Sequence, residues 1–365
     1  MSAGKRILLC PMDWGLGHAT RITPIIRLLQ QAGAEPVLGA DNKPLQFLRR
    51  QFPNCEWIRI PGFEPEYQKK GSLPIRVATD FPQMLKAAAK AHVLLEKIVD
   101  EQNIDAVISD NRYELWSEKV PTIFMTHQLN ILLQGILSSG RPVIKKMISS
   151  FIIRHNELWI PDFESEPNLS GKLSHVRKMP LKNSFFIGPL SRFEGEKAET
   201  NKQNMNDLDV LCLLSGPEPQ RTIFEDLLLT QLTNSELKAV ILSGNPGETE
   251  RKVQGNVKLS SHAGDEEMLS LIQSAKTVIC RSGYSSIMDL ASLGKKAIFI
   301  PTPGQPEQEY LAKKLKKQGL YYSCSQKEFS LKKTLEESQK YSGLHLTNTY
   351  KILRERIDAL LKSLS

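Results

Sequence analysis

The sequence predicts an α/β protein made of two doubly wound domains. Three observations carry that expectation. Short β-branched runs alternate with helical patterns along the whole chain, as in parallel sheets joined by crossover helices. Several runs, such as "TIFMT" and "AIFIP", are apolar nearly throughout, as strands covered on both faces should be. Residues 194–207, "EGEKAETNKQNMND", interrupt this pattern with almost nothing to bury, which reads as a linker.

Before the linker, strands are expected at "RILLC", "PVLGA", "EWIRI", "AVISD", "TIFMT", "ELWIP" and "FFIG", and helices at 18–32 and 80–102. After it, "DVLCLLS", "KAVILSG", "VKLSS", "TVICRS" and "AIFIP" read as strands, with helices at 220–233, 265–275, 284–293 and 307–318. Leu346, Tyr350, Leu353, Ile357, Leu360 and Leu364 recur at helical spacing. They mark an amphipathic helix seeking a surface to cover. The expected domains are therefore 1–193 and 208–345, with a closing helix at 346–365 that packs back toward the N-terminal domain. Two such domains make a cleft. Ligands of open α/β sheets bind beyond the carboxyl ends of the strands, so motifs there carry the most weight.

Composition narrows the partners. The 365 residues are 40% hydrophobic and 24% charged, as in an ordinary globular protein. No apolar run approaches the roughly 18 residues of a membrane span, and the apolar stretch after Lys5 and Arg6 is too short for a signal peptide. A cytoplasmic location is expected. Five cysteines without C-x-x-C spacing, three of them (Cys10, Cys212, Cys280) in or at the ends of apolar runs, read as reduced thiols. No metal site and no cofactor is expected. The net charge of +8 favours anionic partners. Basic residues are spread along the chain without a nucleic-acid motif, so sugar nucleotides and phospholipid headgroups are the partners to consider.

The stretch "GLGHAT" admits three readings. It is a degenerate dinucleotide loop, with Asp41 as the ribose acid and Thr20 where a third glycine belongs; or a plain turn; or a loop in which Gly15 and Gly17 let backbone approach a ligand while His18 faces it. A histidine there suits proton abstraction at neutral pH. Asp110 ends "VISD". It either orients His18 or caps a following helix. In "LLSGPEPQR", Ser215 and Gly216 turn from a strand into a helix whose first amides face a phosphate or simply close the turn.

Residues 280–315 are the most informative segment. Arg281, Ser282, Gly283, Ser285 and Ser286 bring a cation, hydroxyls and amides to one helix N-terminus, which describes a diphosphate site. Asp289, one turn on, suits two sugar hydroxyls, and Glu307, Gln308 and Glu309 suit a hexose. The "DLD" at 207–209 precedes its strand and reads as linker, not metal site.

On these residues the chain resembles glycosyltransferase family 28, including its lipid-linked N-acetylglucosaminyltransferase branch, and the UDP-glycosyltransferases. The resemblance is specific in 10–24, 213–221 and 280–312. It implies the GT-B fold, with two Rossmann-like domains facing each other across a cleft. It implies a UDP-sugar donor, with Arg281, Ser282, Gly283, Ser285 and Ser286 at the diphosphate, Asp289 at the ribose, and Glu307 and Gln308 reading the sugar. His18 matches the general base of the UDP-glycosyltransferases; in the other branch this loop belongs to the acceptor side. Retaining enzymes of the fold carry glutamates where this chain has Arg281 and Asp289, which implies an inverting, metal-independent hexosyltransferase. The chain departs from the pattern in Asp289, usually Glu, and in "SGPEPQR", usually richer in glycine. Residues 110–190 match no acceptor site.

The acceptor hydroxyl is left open, a lipid-linked sugar or glycolipid being one candidate. Residues 131–155 bear on it. Ile144, Met147, Ile148, Phe151 and Ile152 line one helical face, with Lys145 and Lys146 turned away. Such a helix either packs into the core or lies on an anionic membrane, giving a peripheral enzyme on the inner face of the membrane. A non-hydrolysing UDP-sugar 2-epimerase, a nucleotide-sugar-binding protein without catalysis and an NAD oxidoreductase are the alternatives.

Overall fold

The computed structural model describes residues 4–62, 73–132, 141–194, 208–244, 251–347 and 349–364. Among them, β1 (Arg6–Pro11), β2 (Glu35–Ala40), β3 (Glu56–Arg59), β4 (Ala106–Asp110), β5 (Thr122–Met125), β6 (Glu157–Ile160) and β7 (Ser184–Phe186) form one sheet. Its order is β3-β2-β1-β4-β5-β6-β7, parallel throughout. The crossovers carry α1 (Gly17–Gln31), α2 (Asn42–Gln51), α3 (Leu73–Glu101) and α4 (Arg141–Ile152). Apolar strands are needed because helices cover the sheet. Leu8, Cys10, Val37 and Val107 pack with Ala91, Leu95 and Ile98 of α3 in one buried cluster. Each such aliphatic contributes about 1.5–3 kcal/mol on leaving water.

The second sheet repeats the plan. It comprises β8 (Leu208–Leu213), β9 (Ala239–Leu242), β10 (Arg251–Gln254), β11 (Val257–Ser260), β12 (Ala275–Cys280), β13 (Ala297–Phe299) and β14 (Tyr322–Ser323). The order is β10-β11-β9-β8-β12-β13-β14, parallel except for the β10/β11 pair. Its helices are α5 (Gln220–Thr233), α6 (Asp265–Ser274), α7 (Tyr284–Ser292), α8 (Pro306–Lys317) and α9 (Leu331–Ser338). Val210, Cys212, Phe224, Leu228, Ile241, Ile279 and Ile298 share its core.

Four elements escape the sequence reading: α2, β10, β14 and α9. In α2, "NKPLQFLRRQ", only four residues are buried, so the apolar stripe is short. β10 is "RKVQ" and β14 has two residues, too polar or too brief to signal a strand.

The described residues from 4 to 192 and from 349 to 364 form one compact unit, and those from Phe193 to Thr347 a second. The last helix, α10 (Thr349–Ser363), thus lies with the first unit. It buries Leu353, Ile357 and Leu360, and Arg356 donates to Glu157 Oε1 at 2.7 Å while stacking on Phe185 at 4.0 Å. Residues 195–207 of the expected linker, and 133–140 of the candidate membrane segment, lie outside the described residues.

α4 bears on the two readings of residues 131–155. Its apolar stripe is mainly a core face: Ile148 and Ile152 are buried against Phe124, Leu158 and Ile160, with Ile144 packed beside them. Val143, Met147 and Ile153 remain outside, with the exposed Lys145, Lys146 and Arg154. Among the described residues, no helix is long and apolar enough to cross a membrane.

In each sheet the chain winds outward in both directions from a central pair, β1/β4 in the first and β8/β12 in the second. At such a reversal the connecting helices diverge and leave a crevice at the carboxyl ends of the strands. The loops after β1, β4, β8 and β12 are therefore where ligands belong.

Candidate functional site

In the N-terminal unit, the loop after β1 delivers His18 to that crevice. Gly15 takes φ +80°, a left-handed conformation that costs a side chain dearly, and α1 begins at Gly17. His18 Nδ1 lies 2.9 Å from Asp110 Oδ2. The two residues are 92 positions apart and meet because β1 and β4 are neighbours with Pro11 opposite Asp110. Asp110 is fully buried, while 16% of the His18 side chain is exposed. No helix follows Asp110; Asn111 turns at φ +58° and 112–121 are irregular. The capping alternative therefore falls, and the carboxylate is spent on side chains.

Arg21 was not foreseen. One turn after His18, it donates Nε to Asp110 Oδ2 at 3.1 Å and a second nitrogen to Asp110 Oδ1. It also reaches His127 Nδ1 at 2.8 Å, just beyond β5. Burial alone would raise the Asp110 carboxyl; the charge of Arg21 and the hydrogen bonds of His18 and Arg21 outweigh it and hold the group below the usual carboxylate range. The i, i+3 spacing of His18 and Arg21 was the available signal, since such residues share a helix face. His127 carried none, because its partner lies 106 residues away.

A second buried network supports the same loop. Asp13 Oδ2 accepts from Arg112 at 3.2 Å and Asp13 Oδ1 from the amide of Asp41 at 3.2 Å. Arg112 continues to Glu114 Oε1 at 2.6 Å and to the carbonyls of Ile60 and Pro61. Burial pushes the Asp13 carboxyl up to about 6 against the pull of Arg112. Gly62 is required there, since a Cβ would stand 2.2 Å from Asp13 Oδ2. Asp41, the acid that a dinucleotide reading needs, caps α2 and binds Arg59 at 2.7 Å.

In the C-terminal unit, the loops after β8, β12 and β13 hold the other predicted residues. Gly216 adopts φ +102° beside the Thr302 hydroxyl, which is buried without a hydrogen-bond partner among the described residues. Gly283 precedes α7, whose start has no side-chain cap and no acid in its first turn. By contrast, α6 and α8 both place acids there. A helix N-terminus carries the positive end of the helix dipole, and here no acid of the first turn offsets it. Ser285 and Ser286 stand half-buried on the first turn of α7, with Asp289 buried one turn on.

Arg281 is turned inward. Its side chain is 1% exposed, stacks on Phe224 at 4.3 Å and donates to the carbonyls of Ile300, Pro301 and Gln220 at 3.1, 3.3 and 2.8 Å. Burial lowers it to about 10. The two terminal nitrogens tie together the loops that end β13 and begin α5, while Nε has no hydrogen-bond partner among the described residues. Ser282 is likewise committed, donating to the Gln308 carbonyl at 2.8 Å. Gln308 accepts from Thr302 N at 2.8 Å and donates to Gln305 at 2.6 Å, and Glu309 accepts from Gly304 N at 3.1 Å. Glu307 stands half-buried beside them in the first turn of α8. The "DLD" aspartate, Asp209, sits at the start of β8 and binds Lys276 at 2.6 Å, at the strand end opposite to these loops.

Comparison with known proteins agrees with this layout. Residues 220–351 match the family described as glycosyltransferase family 28 C-terminal domain. An uncharacterized glycosyltransferase of Methanosarcina acetivorans is 25% identical, over 86% of this chain and 84% of its own. A UDP-N-acetylglucosamine--N-acetylmuramyl-(pentapeptide) pyrophosphoryl-undecaprenol N-acetylglucosamine transferase of Sulfurihydrogenibium sp. is 28% identical over 56% of this chain and 63% of its own. The crystal structure of Arabidopsis thaliana UGT89C1 complexed with quercetin superposes with a TM-score of 0.63 at 14% identity, over 99% of each chain. The fold is GT-B, and residues 220–351 are similar to the C-terminal domain of glycosyltransferase family 28.

Proposed function

We propose that this chain is a glycosyltransferase that moves a sugar from a UDP-sugar to an acceptor hydroxyl with inversion and without a metal. The observation that carries the reading is the contact between His18 Nδ1 and the buried Asp110 carboxylate. A proton on Nδ1, donated to Asp110, leaves the lone pair on Nε2. That nitrogen takes the proton of the acceptor hydroxyl as the acceptor oxygen attacks the anomeric carbon. The bond from that carbon to the diphosphate oxygen breaks, and UDP leaves with the electron pair. One displacement at one carbon inverts it.

The donor belongs with the C-terminal unit. The uncapped start of α7 at Gly283, with Ser285 and Ser286, meets the diphosphate. Ser215 and Gly216 flank it, Asp289 accepts from the ribose, and Glu307, Gln308 and Glu309 read the hexose. Arg281 and Ser282 serve by fixing these loops. The activity for which the Sulfurihydrogenibium relative is named supports UDP-N-acetylglucosamine as the first donor to try and a lipid-linked acceptor. The exposed Val143, Met147 and Ile153, with Lys145 and Lys146 between them, support contact with an anionic membrane.

The test is a thermal-shift series with UDP-sugars and NAD. UDP-N-acetylglucosamine or another UDP-sugar raises the melting temperature, and Asp289→Ala removes most of the rise. A ligand at one hundred times its Kd stabilises by about 2.7 kcal/mol, which a melting curve resolves. A shift with NAD and none with any nucleotide sugar defeats the reading.

A further inference from the structure

The His18–Asp110 pair has a third member, Arg21, and its contacts are those of a charge balance. Arg21 and Asp110 are both almost wholly buried. The guanidinium grips the carboxylate with two nitrogens, Nε to Oδ2 and a terminal nitrogen to Oδ1. That fork fixes the carboxylate plane, with Oδ2 toward His18. The same terminal nitrogen lies 2.8 Å from His18 Nδ1. The other lies 2.8 Å from His127 Nδ1. A guanidinium only donates: His127 Nδ1 meets it as an acceptor, whereas His18 Nδ1 lies between this donor and the acceptor Asp110 Oδ2, and the tautomer that serves as base is the one that gives its Nδ1 proton to Asp110 and faces the guanidinium only as a neighbouring charge.

This has a consequence for the base. A buried carboxylate with no other partner demands a positive charge beside it. If His18 were the sole neighbour of Asp110, it would supply that charge by holding a second proton. An imidazolium cannot accept the proton of an acceptor hydroxyl. Arg21 meets the demand permanently. It also sets a cation against His18 Nδ1, which opposes a charged ring. We propose that Arg21 is the positioning residue that balances the charge of Asp110 and so keeps His18 in service as a base.

The charged and titratable groups around His18 are accounted for by element. Asp110 comes from β4 and Arg21 from α1, with His127 behind Arg21 from the segment after β5. Asp13, on the loop after β1, is engaged with Arg112 and the Asp41 amide. The inference rests on the reading of His18 as the base, but its test needs no substrate and so fails or stands separately from glycosyl transfer.

The experiment is an NMR titration of the full chain labelled with ¹⁵N-histidine, the His18 signals being assigned by their loss in His18→Gln. In Arg21→Met, the protonation midpoint of His18 moves up by about one pH unit or more, an approximately tenfold loss of unprotonated ring on the acidic limb. Arg21→Lys, which keeps the charge and loses the fork, returns most of that shift. A midpoint in Arg21→Met that is unchanged or lower overturns the proposal, as does a lysine variant that titrates like the methionine variant. Should Arg21→Met fail to fold, Arg21→Met with Asp110→Asn is compared with Asp110→Asn alone. The double variant titrates higher if Arg21 acts by charge; equal midpoints overturn the proposal. In a transfer assay, Arg21→Met moves the acidic limb of kcat to higher pH, whereas purely structural damage lowers kcat at every pH.

Discussion

At the scale of single residues, the site depends on two buried carboxylates held in opposite ways. Asp110 is kept ionised by Arg21 and His18. Its partner His18 is the group to remove first: His18→Ala lowers kcat about 10²–10⁴-fold, the usual range for loss of a general base. Donor affinity stays near that of the native protein, because the donor loops belong to the other unit. Undiminished turnover in this variant excludes the base role. Asp13, by contrast, is lifted by burial from the usual carboxylate range, about 4, up to about 6. Between those values the folded chain binds more protons than the unfolded one, so the Asp13 contribution is fully present below about pH 4. It is lost as the pH rises through about 6, a change of about 3 kcal/mol. Urea unfolding at pH 4 and pH 7 checks this. The native protein loses stability relative to Asp13→Asn over that interval, and parallel pH dependences refute the assignment.

At the scale of elements, the site is set by where strands end and helices begin. α1 starts immediately after the Gly15 turn, so its first turn projects His18 and Arg21 over the ends of β4 and β5. α7 starts after Gly283 without a cap or an acid. α4 presents a divided surface. Its core face holds Ile148 and Ile152, while Val143, Met147, Lys145 and Lys146 face outward. Basic side chains near an anionic surface contribute roughly 1 kcal/mol each. The chain therefore sediments with phosphatidylglycerol vesicles at low salt and is released at high salt. Lys145→Glu with Lys146→Glu weakens the binding. Absence of sedimentation at low salt removes the membrane from the proposed function and directs the search to a soluble acceptor.

At the scale of the whole molecule, the chain makes two sheets of the same winding and then returns to the first. α10 closes the N-terminal unit from the far end of the sequence, with Leu353 at 1% exposure. Leu353→Ala leaves a cavity in that unit and costs it about 2–5 kcal/mol. Scanning calorimetry of the native and variant chains checks this. The transition of the N-terminal unit falls, while the C-terminal one is spared. Equal lowering of both transitions shows that the units do not unfold independently.

The sequence by itself determined the α/β class, because apolar runs and helical periodicity are local properties written by backbone geometry. It also determined which loops lead from a strand directly into a helix. "GLGH" and "RSGYSS" follow strands and open helices, and the Rossmann-type winding puts such loops at the point where the sheet reverses. The pairing of His18 with Asp110 was legible as one of two roles for that acid, and only the tertiary structure removed the other, since no helix follows Asp110. Which long side chains turn inward onto the protein was likewise decided in three dimensions. Arg281 reads as a phosphate cation in sequence, yet its guanidinium is held by carbonyls as far as 61 residues away. Arg21 reads as a helix surface charge, yet it is buried against a carboxylate 89 residues on. Periodicity records how often a side chain recurs along an element; the direction in which a long cation folds depends on acceptors contributed by distant segments, and only packing brings those together.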